Sequence, residues 1–162
     1  MNMSFRQKIY ESVFKCLVES HLNGVKISFE EKDFGDEINV FIYGNGNEMG
    51  YVILITHDSI ESLYSEIADT DSVEIAEDVI YRLNTNKPII EIADVDVNKK
   101  YRNMGVSKIL IEYILGKYKD HQFYLRVCPT DGVDEDTFAN VFKRFGFIEI
   151  DKSENGTFMI KK

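Results

Sequence analysis

Residues 89–114 constrain this chain more than any other stretch. Ile89-Ile90-Glu91-Ile92-Ala93-Asp94-Val95-Asp96-Val97 follows Pro88 and is rich in β-branched apolar residues, the pattern of a largely buried strand. Directly after it, Asn98-Lys99-Lys100-Tyr101-Arg102-Asn103-Met104-Gly105-Val106-Ser107-Lys108 places four basic side chains and a glycine in one short turn. Val106, Ile109, Leu110, Tyr113 and Ile114 then recur at helical spacing. A strand entering a helix through a glycine turn leaves the first helical N–H groups unpaired and aimed outward. With lysine and arginine around it, such a turn suits a pyrophosphate.

Composition narrows the class of partner. The 162 residues fit one domain able to bury a real core. Acidic residues outnumber basic ones by 28 to 19, and the net charge of −9 argues against nucleic-acid phosphate as a partner. Cys16 and Cys128 are too few for a disulfide framework. Residues 1–10 lack an apolar run with a cleavage site, and no segment approaches the length of a membrane span. These features predict a cytoplasmic protein with no membrane association.

Residues 3–22 predict a first helix with Phe5, Ile9, Val13, Phe14, Leu17 and Val18 on its apolar stripe. Three antiparallel strands are expected at Val25–Glu31, Ile38–Tyr43 and Tyr51–Thr56, the last two joined through Gly44-Asn45-Gly46-Asn47. A helical stretch from Ser59 to Leu83 breaks near Asp69-Thr70-Asp71, and Asn84–Pro88 stops it. A further strand covers Gln122–Cys128, a helix ends before Gly146, and Glu149 with Gly156–Lys161 closes the chain as a hairpin. The expectation is an α/β (α+β) fold, a mixed and largely antiparallel sheet flanked by helices.

Several patterns point to chemistry and fail on spacing. Gly44-x-Gly46 with Gly50 has the wrong interval for a dinucleotide turn and sits in a hairpin. Asp94-x-Asp96-x-Asn98 opens like a calcium loop, but Lys99 replaces the required glycine and Gly105 the closing glutamate. His21, His57 and His121 are scattered, so no metal site is expected. Cys128 reads as a small buried hydrophobe without an activating base.

Arg102-Asn103-Met104-Gly105-Val106-Ser107 resembles the Arg/Gln-x-x-Gly-x-Gly/Ala signature of the GNAT superfamily of N-acetyltransferases, with Ser107 at the last small position. A second resemblance is Phe142-Lys143-Arg144-Phe145-Gly146-Phe147, similar to the family's Tyr-x-x-x-Gly-Phe. Phe142 stands where the tyrosine acid is usual, and Glu135 where the family has asparagine. Together the two regions span residues 89–150. The resemblance implies a GNAT-like sheet with a splayed parallel strand pair over a single domain of residues 1–162. The chain order departs from the family's, with helix before the first strand and between the third and fourth.

It further implies acetyl-coenzyme A as cosubstrate and an amine-bearing acceptor, small molecule or protein, the chain being monomer or homodimer. Lys100, Arg102, Asn103, Met104, Gly105, Val106, Ser107 and Lys108 would hold the phosphates, and the backbone of Val95 and Val97 the pantetheine arm. A lysine-like amine, with a pKa of about 10.4, needs a base before it attacks. Glu91, eleven residues before Arg102, has the spacing of a general base in some family members. Asp94 and Asp96 lie on the opposite strand face and are the alternatives. Tyr124, Thr130 or a water would replace the missing acid. The alternative reading is a GNAT-fold module that binds an acyl-coenzyme A or a protein without transfer.

Overall fold

A computed structural model describes Leu22, residues 24–128 and residues 134–162. The helix expected over residues 3–22 lies outside these residues except for Leu22, as do Cys16, His21 and Thr130. Among the described residues seven strands form one sheet: β1 (Ile27–Asp33), β2 (Glu37–Gly44), β3 (Asn47–His57), β4 (Ile89–Val97), β5 (Gln122–Val127), β6 (Ile148–Ser153) and β7 (Gly156–Lys161). Their order is β1-β2-β3-β4-β5-β7-β6. The helices among the described residues are α1 (Ile60–Thr70), α2 (Val73–Arg82), α3 (Val106–Lys117) and α4 (Glu135–Arg144). The chain divides into two compact units, one of Met1–Ile53 with Asp94–Lys119, the other of Leu54–Ala93 with Asp120–Lys162.

In the first unit, β1 and β2 pair antiparallel from Ile27↔Gly44 to Asp33↔Ile38. β2 turns into β3 through Asn45 and Gly46, with φ of 50° and 80°. Positive φ at both central residues matches the right-handed twist of the flanking strands, and Asn-Gly adopts it at low cost. α3 buries the predicted stripe, with Val106, Ile109, Leu110, Tyr113 and Ile114 all nearly inaccessible. Its Tyr113 ring stacks on Phe29 of β1 at 3.9 Å, and the Tyr113 hydroxyl donates to Glu31 at 3.2 Å.

The second unit is built on capped helices. Ser59 accepts from the Ser62 N–H at 3.1 Å and Ser72 from that of Ile75 at 3.2 Å, so the expected break in the helical stretch is a second helix start. Leu63 and Ile67 of α1 and Ile75, Ala76 and Val79 of α2 share a core with Ile89, Tyr124, Phe158 and Ile160. β4 and β5 pair in parallel over Ile89↔Gln122, Ile90↔Phe123 and Glu91↔Tyr124, where the ladder among the described residues stops while β4 runs on. β7 pairs antiparallel with both β5 and β6. The fold agrees with the mixed sheet expected from sequence, including the parallel pair of β4 and β5. Among the described residues no helix is long and apolar enough to cross a membrane.

Candidate active site

The turn after β4 is built as the sequence suggests. Asn98 accepts from the Lys100 N–H at 3.2 Å and opens a single 3-10 turn, Lys99–Tyr101. Asn103 and Gly105 then take left-handed φ of 63° and 80°. Gly105 is the N-cap of α3 and no side chain caps the helix, so its first N–H groups face outward. Val106 is buried and offers only its backbone, while Lys100, Arg102, Asn103, Met104 and Lys108 are exposed. Such a turn pairs helix-dipole and N–H donors with mobile cations, the combination anion binding requires.

Two contacts modify that picture. Arg102 donates through Nε to the Val97 carbonyl at 3.0 Å, and its guanidinium lies 3.5 Å from Asp96. Val97, expected to offer its backbone to a ligand, therefore has its carbonyl engaged by the arginine. Asp94 is exposed and accepts from the Tyr51 hydroxyl at 3.0 Å. That hydrogen bond raises the tyrosine's pKa. The second acid face of β4 thus points to solvent, where its charges cost little.

Glu91 occupies a different environment, in the second unit. Its Oε2 lies 3.0 Å from Nε2 of His57 on β3, with only 12% of the Glu91 side chain and 3% of the His57 side chain exposed. Glu66 of α1 completes the group, and the three donor atoms lie within 4.8 Å of one another. Burial first, then the Glu91 charge and a hydrogen bond to it, raise the pKa of Glu66; His57 and Arg126 oppose this. The Glu91 charge beside it thus favours the protonated form of Glu66.

This overturns the reading of His57 as an isolated residue: the imidazole is a partner of the candidate base. One imidazole and two carboxylates held this close give a proton a choice of neighbouring acceptors. Sequence offered a partial signal, since His57 ends an alternating strand; its register against β4 was not readable. Glu66 gave none.

Tyr124 stands opposite Glu91 in the parallel ladder. Its hydroxyl pKa is pushed far up, by burial first and then by the Glu91 charge, so it keeps its proton. Phe142 is 3% exposed and packs edge-on against Phe147 at 5.5 Å, which in turn meets Phe123 at 6.4 Å. Phe123 and Tyr124 are neighbours on β5, so α4 lies on the sheet face opposite Glu91 and Tyr124. Glu135 accepts the Thr157 hydroxyl and lies 3.7 Å from Lys152. Cys128 corrects another expectation: its thiol is exposed, not buried, and donates to the Asn155 carbonyl at 3.3 Å.

The acetyltransferase (GNAT) family matches residues 7–147. Among solved structures, the fold is similar to an acetyltransferase from Thermus thermophilus, at 8% identity and TM-score 0.52, covering 79% of this chain and 65% of that one. It is similar to the Bacillus subtilis N-acetyltransferase YlbP in complex with coenzyme A, at 12% identity and TM-score 0.50, covering 76% and 66%. A third is Arabidopsis thaliana NAA60 in complex with a bisubstrate analogue, at 14% identity and TM-score 0.50, covering 79% and 74%. The match spans just under two thirds of the length of the first two, and at these identities the likeness is one of fold. No curated protein matches the chain. With a family match over most of its length, a mixed sheet holding one parallel pair and a basic glycine turn after β4, the chain belongs to the GNAT acetyltransferase family.

Proposed function

We propose that this chain is an acetyl-coenzyme A-dependent N-acyltransferase, acting in the cytoplasm as one domain over residues 1–162. Its acceptor is a primary amine of a small molecule or protein. The observation that carries this reading is the hydrogen bond between Glu91 and a nearly inaccessible His57, on the strand that leads into the basic turn. A carboxylate held this way is oriented to accept a proton in a site largely closed to water.

In this reading Arg102, Asn103, Met104, Gly105, Val106, Ser107, Lys108 and Lys100 bind the phosphates, through N–H groups and exposed cations. Beyond Glu91 the part of β4 outside the β5 ladder aligns the pantetheine arm through the backbone of Val95 and Val97, with the Val97 carbonyl shared with Arg102. Glu91 accepts the amine proton, and Tyr124, kept protonated by burial, donates to the departing thiolate. Asp94, held by Tyr51, anchors β3 to β4 instead of serving as base.

Phe142 supports a second reading, a binding module without transfer, because it leaves the usual acid position with no proton to give. Differential scanning fluorimetry with acetyl-coenzyme A tests the shared premise. Ligand at about 100 times its dissociation constant adds about 2.7 kcal/mol of stability. Gly105→Val, forced into left-handed φ, should lose the shift. No shift with wild-type protein at saturating ligand would end the acyltransferase and acyl-coenzyme A-binding readings. Release of free thiol with an amine present then separates enzyme from module.

A further inference from the structure

We propose that the cavity beside His57 receives the acceptor as an aliphatic primary ammonium, and that His57 passes its proton to Glu91. The inference rests on the acyltransferase reading and names the acceptor side of that site. A cavity of about 280 Å³ is lined by residues 57–60, where β3 turns into α1, and by residues 85–89, where the chain enters β4. His57 is a wall of this cavity and at the same time the hydrogen-bond partner of Glu91. Because Nε2 is committed to Glu91, Nδ1 is the ring nitrogen left for a group in the cavity.

The lining sets the class of acceptor. Asp58 attracts a cation, Ser59 and Thr85 offer hydroxyls, and Ile60, Pro88 and Ile89 give an apolar side. The volume lies near the lower limit for ligand pockets, which selects a slim alkyl arm over a bulky aromatic amine. Lys87, also in the lining, disfavours a second positive charge on the acceptor.

Proton and electron movements balance without another reagent. The ammonium loses one proton to His57 Nδ1 while the proton on Nε2 moves to Glu91 Oε2, leaving a neutral amine. The nitrogen lone pair forms the C–N bond to the thioester carbonyl carbon. The C–S bond breaks and its electron pair leaves on sulfur. Tyr124 protonates the thiolate and is restored by the remaining excess proton on nitrogen, giving amide and thiol; Glu91 returns its proton to solvent and the imidazole proton returns from Nδ1 to Nε2. Among the described residues, Glu91 of β4 and Glu66 of α1 lie beside the imidazole, Tyr124 and Arg126 of β5 act on those two carboxylates, and Asp58 and Lys87 share the cavity wall with His57.

The test is steady-state thiol release by wild type, His57→Gln and Glu91→Gln over a pH series, with linear alkylamines and with benzylamine. In His57→Gln, kcat/KM for the alkylamine should fall by about 10²–10⁴-fold near neutrality. The deficit should narrow as pH approaches the amine's own pKa, and added imidazole should restore part of the rate. The coenzyme-induced melting shift should stay as in wild type, and benzylamine should be the poorer acceptor. Glu91→Gln impaired while His57→Gln turns over like wild type at every pH would overturn the relay and leave the enzyme reading intact. A His57→Gln deficit that neither pH nor imidazole relieves would make the imidazole a structural support and overturn the relay as well. Wild type that releases no thiol with any amine overturns the acyltransferase reading together with the relay.

Discussion

Nε of Arg102 donates to the carbonyl of Val97, five residues back, at 3.0 Å. The guanidinium is thereby folded onto the end of its own strand, with Asp96 3.5 Å away. An incoming phosphate has to compete with that carboxylate. Asp96→Asn should therefore tighten coenzyme A binding by about two- to fivefold, the worth of an exposed ion pair. Arg102→Ala should weaken it by about 1.5–3 kcal/mol, the worth of a charge-assisted hydrogen bond. Both effects should shrink as salt rises. Isothermal titration at low and high salt checks them, and equal losses for pantetheine and coenzyme A would place Arg102 outside the phosphate site.

Glu91→Gln keeps the shape of the side chain and deletes the base. Coenzyme affinity should survive while kcat/KM for the best amine drops by about 10²–10⁴-fold. Unchanged kinetics would return the role to Asp94 or Asp96.

Glu66 makes a prediction about stability. Its folded-state pKa is raised, chiefly by burial and by Glu91, above the unfolded value of about 4.3. Over that interval the folded state binds more protons than the unfolded one. The group's contribution is therefore complete below the unfolded pKa and fades as pH rises through the folded one. Glu66→Gln should flatten this part of the profile and gain on wild type toward neutral pH. Urea midpoints across a pH series measure it; parallel profiles would rule out Glu66 as the titrating group.

Phe142→Tyr places a hydroxyl among Phe138 and Phe147, on the face of the sheet away from Glu91. We expect a loss of about 1–3 kcal/mol from a buried, unpaired hydroxyl, with no gain in rate. A rate increase of tenfold or more would transfer the acid role from Tyr124 to position 142.

Phe158 is fully buried and stacks with Tyr124, ring centroids 6.4 Å apart. Phe158→Ala should cost about 3–5 kcal/mol of stability, read from denaturant unfolding, and loosen the side chain that faces Glu91. A smaller loss would mean that the surrounding core collapses into the space.

Local chemistry made much of the fold legible. Pro88 and the β-branched run mark β4 at the bounds it takes, Ser72 converts the expected helix break into a new start, and Gly105 opens α3. Each signal acts within a few residues. The site was less legible because it is made by long-range register. His57 and Glu91 are 34 residues apart and meet through strand pairing, and Glu66 joins them from a helix. Cys128 was misread because β5 ends at Val127, one residue short of it, and its thiol meets the Asn155 carbonyl from a distant turn. Asp94 and Asp96 were visible as acids, but their partners Tyr51 and Arg102 come from neighbouring elements and decide their roles.

The order β5-β7-β6 has a consequence for synthesis. Phe123 of β5 pairs with Lys161, so Phe123–Val127 emerges from the ribosome well before the strand that covers its outer edge. During that interval a short, apolar strand edge is open to any other nascent chain. A slow stretch of translation between residues 128 and 156 would lengthen the exposure, making the yield of folded protein sensitive to codon choice in a segment that itself carries no residue of the proposed catalytic machinery.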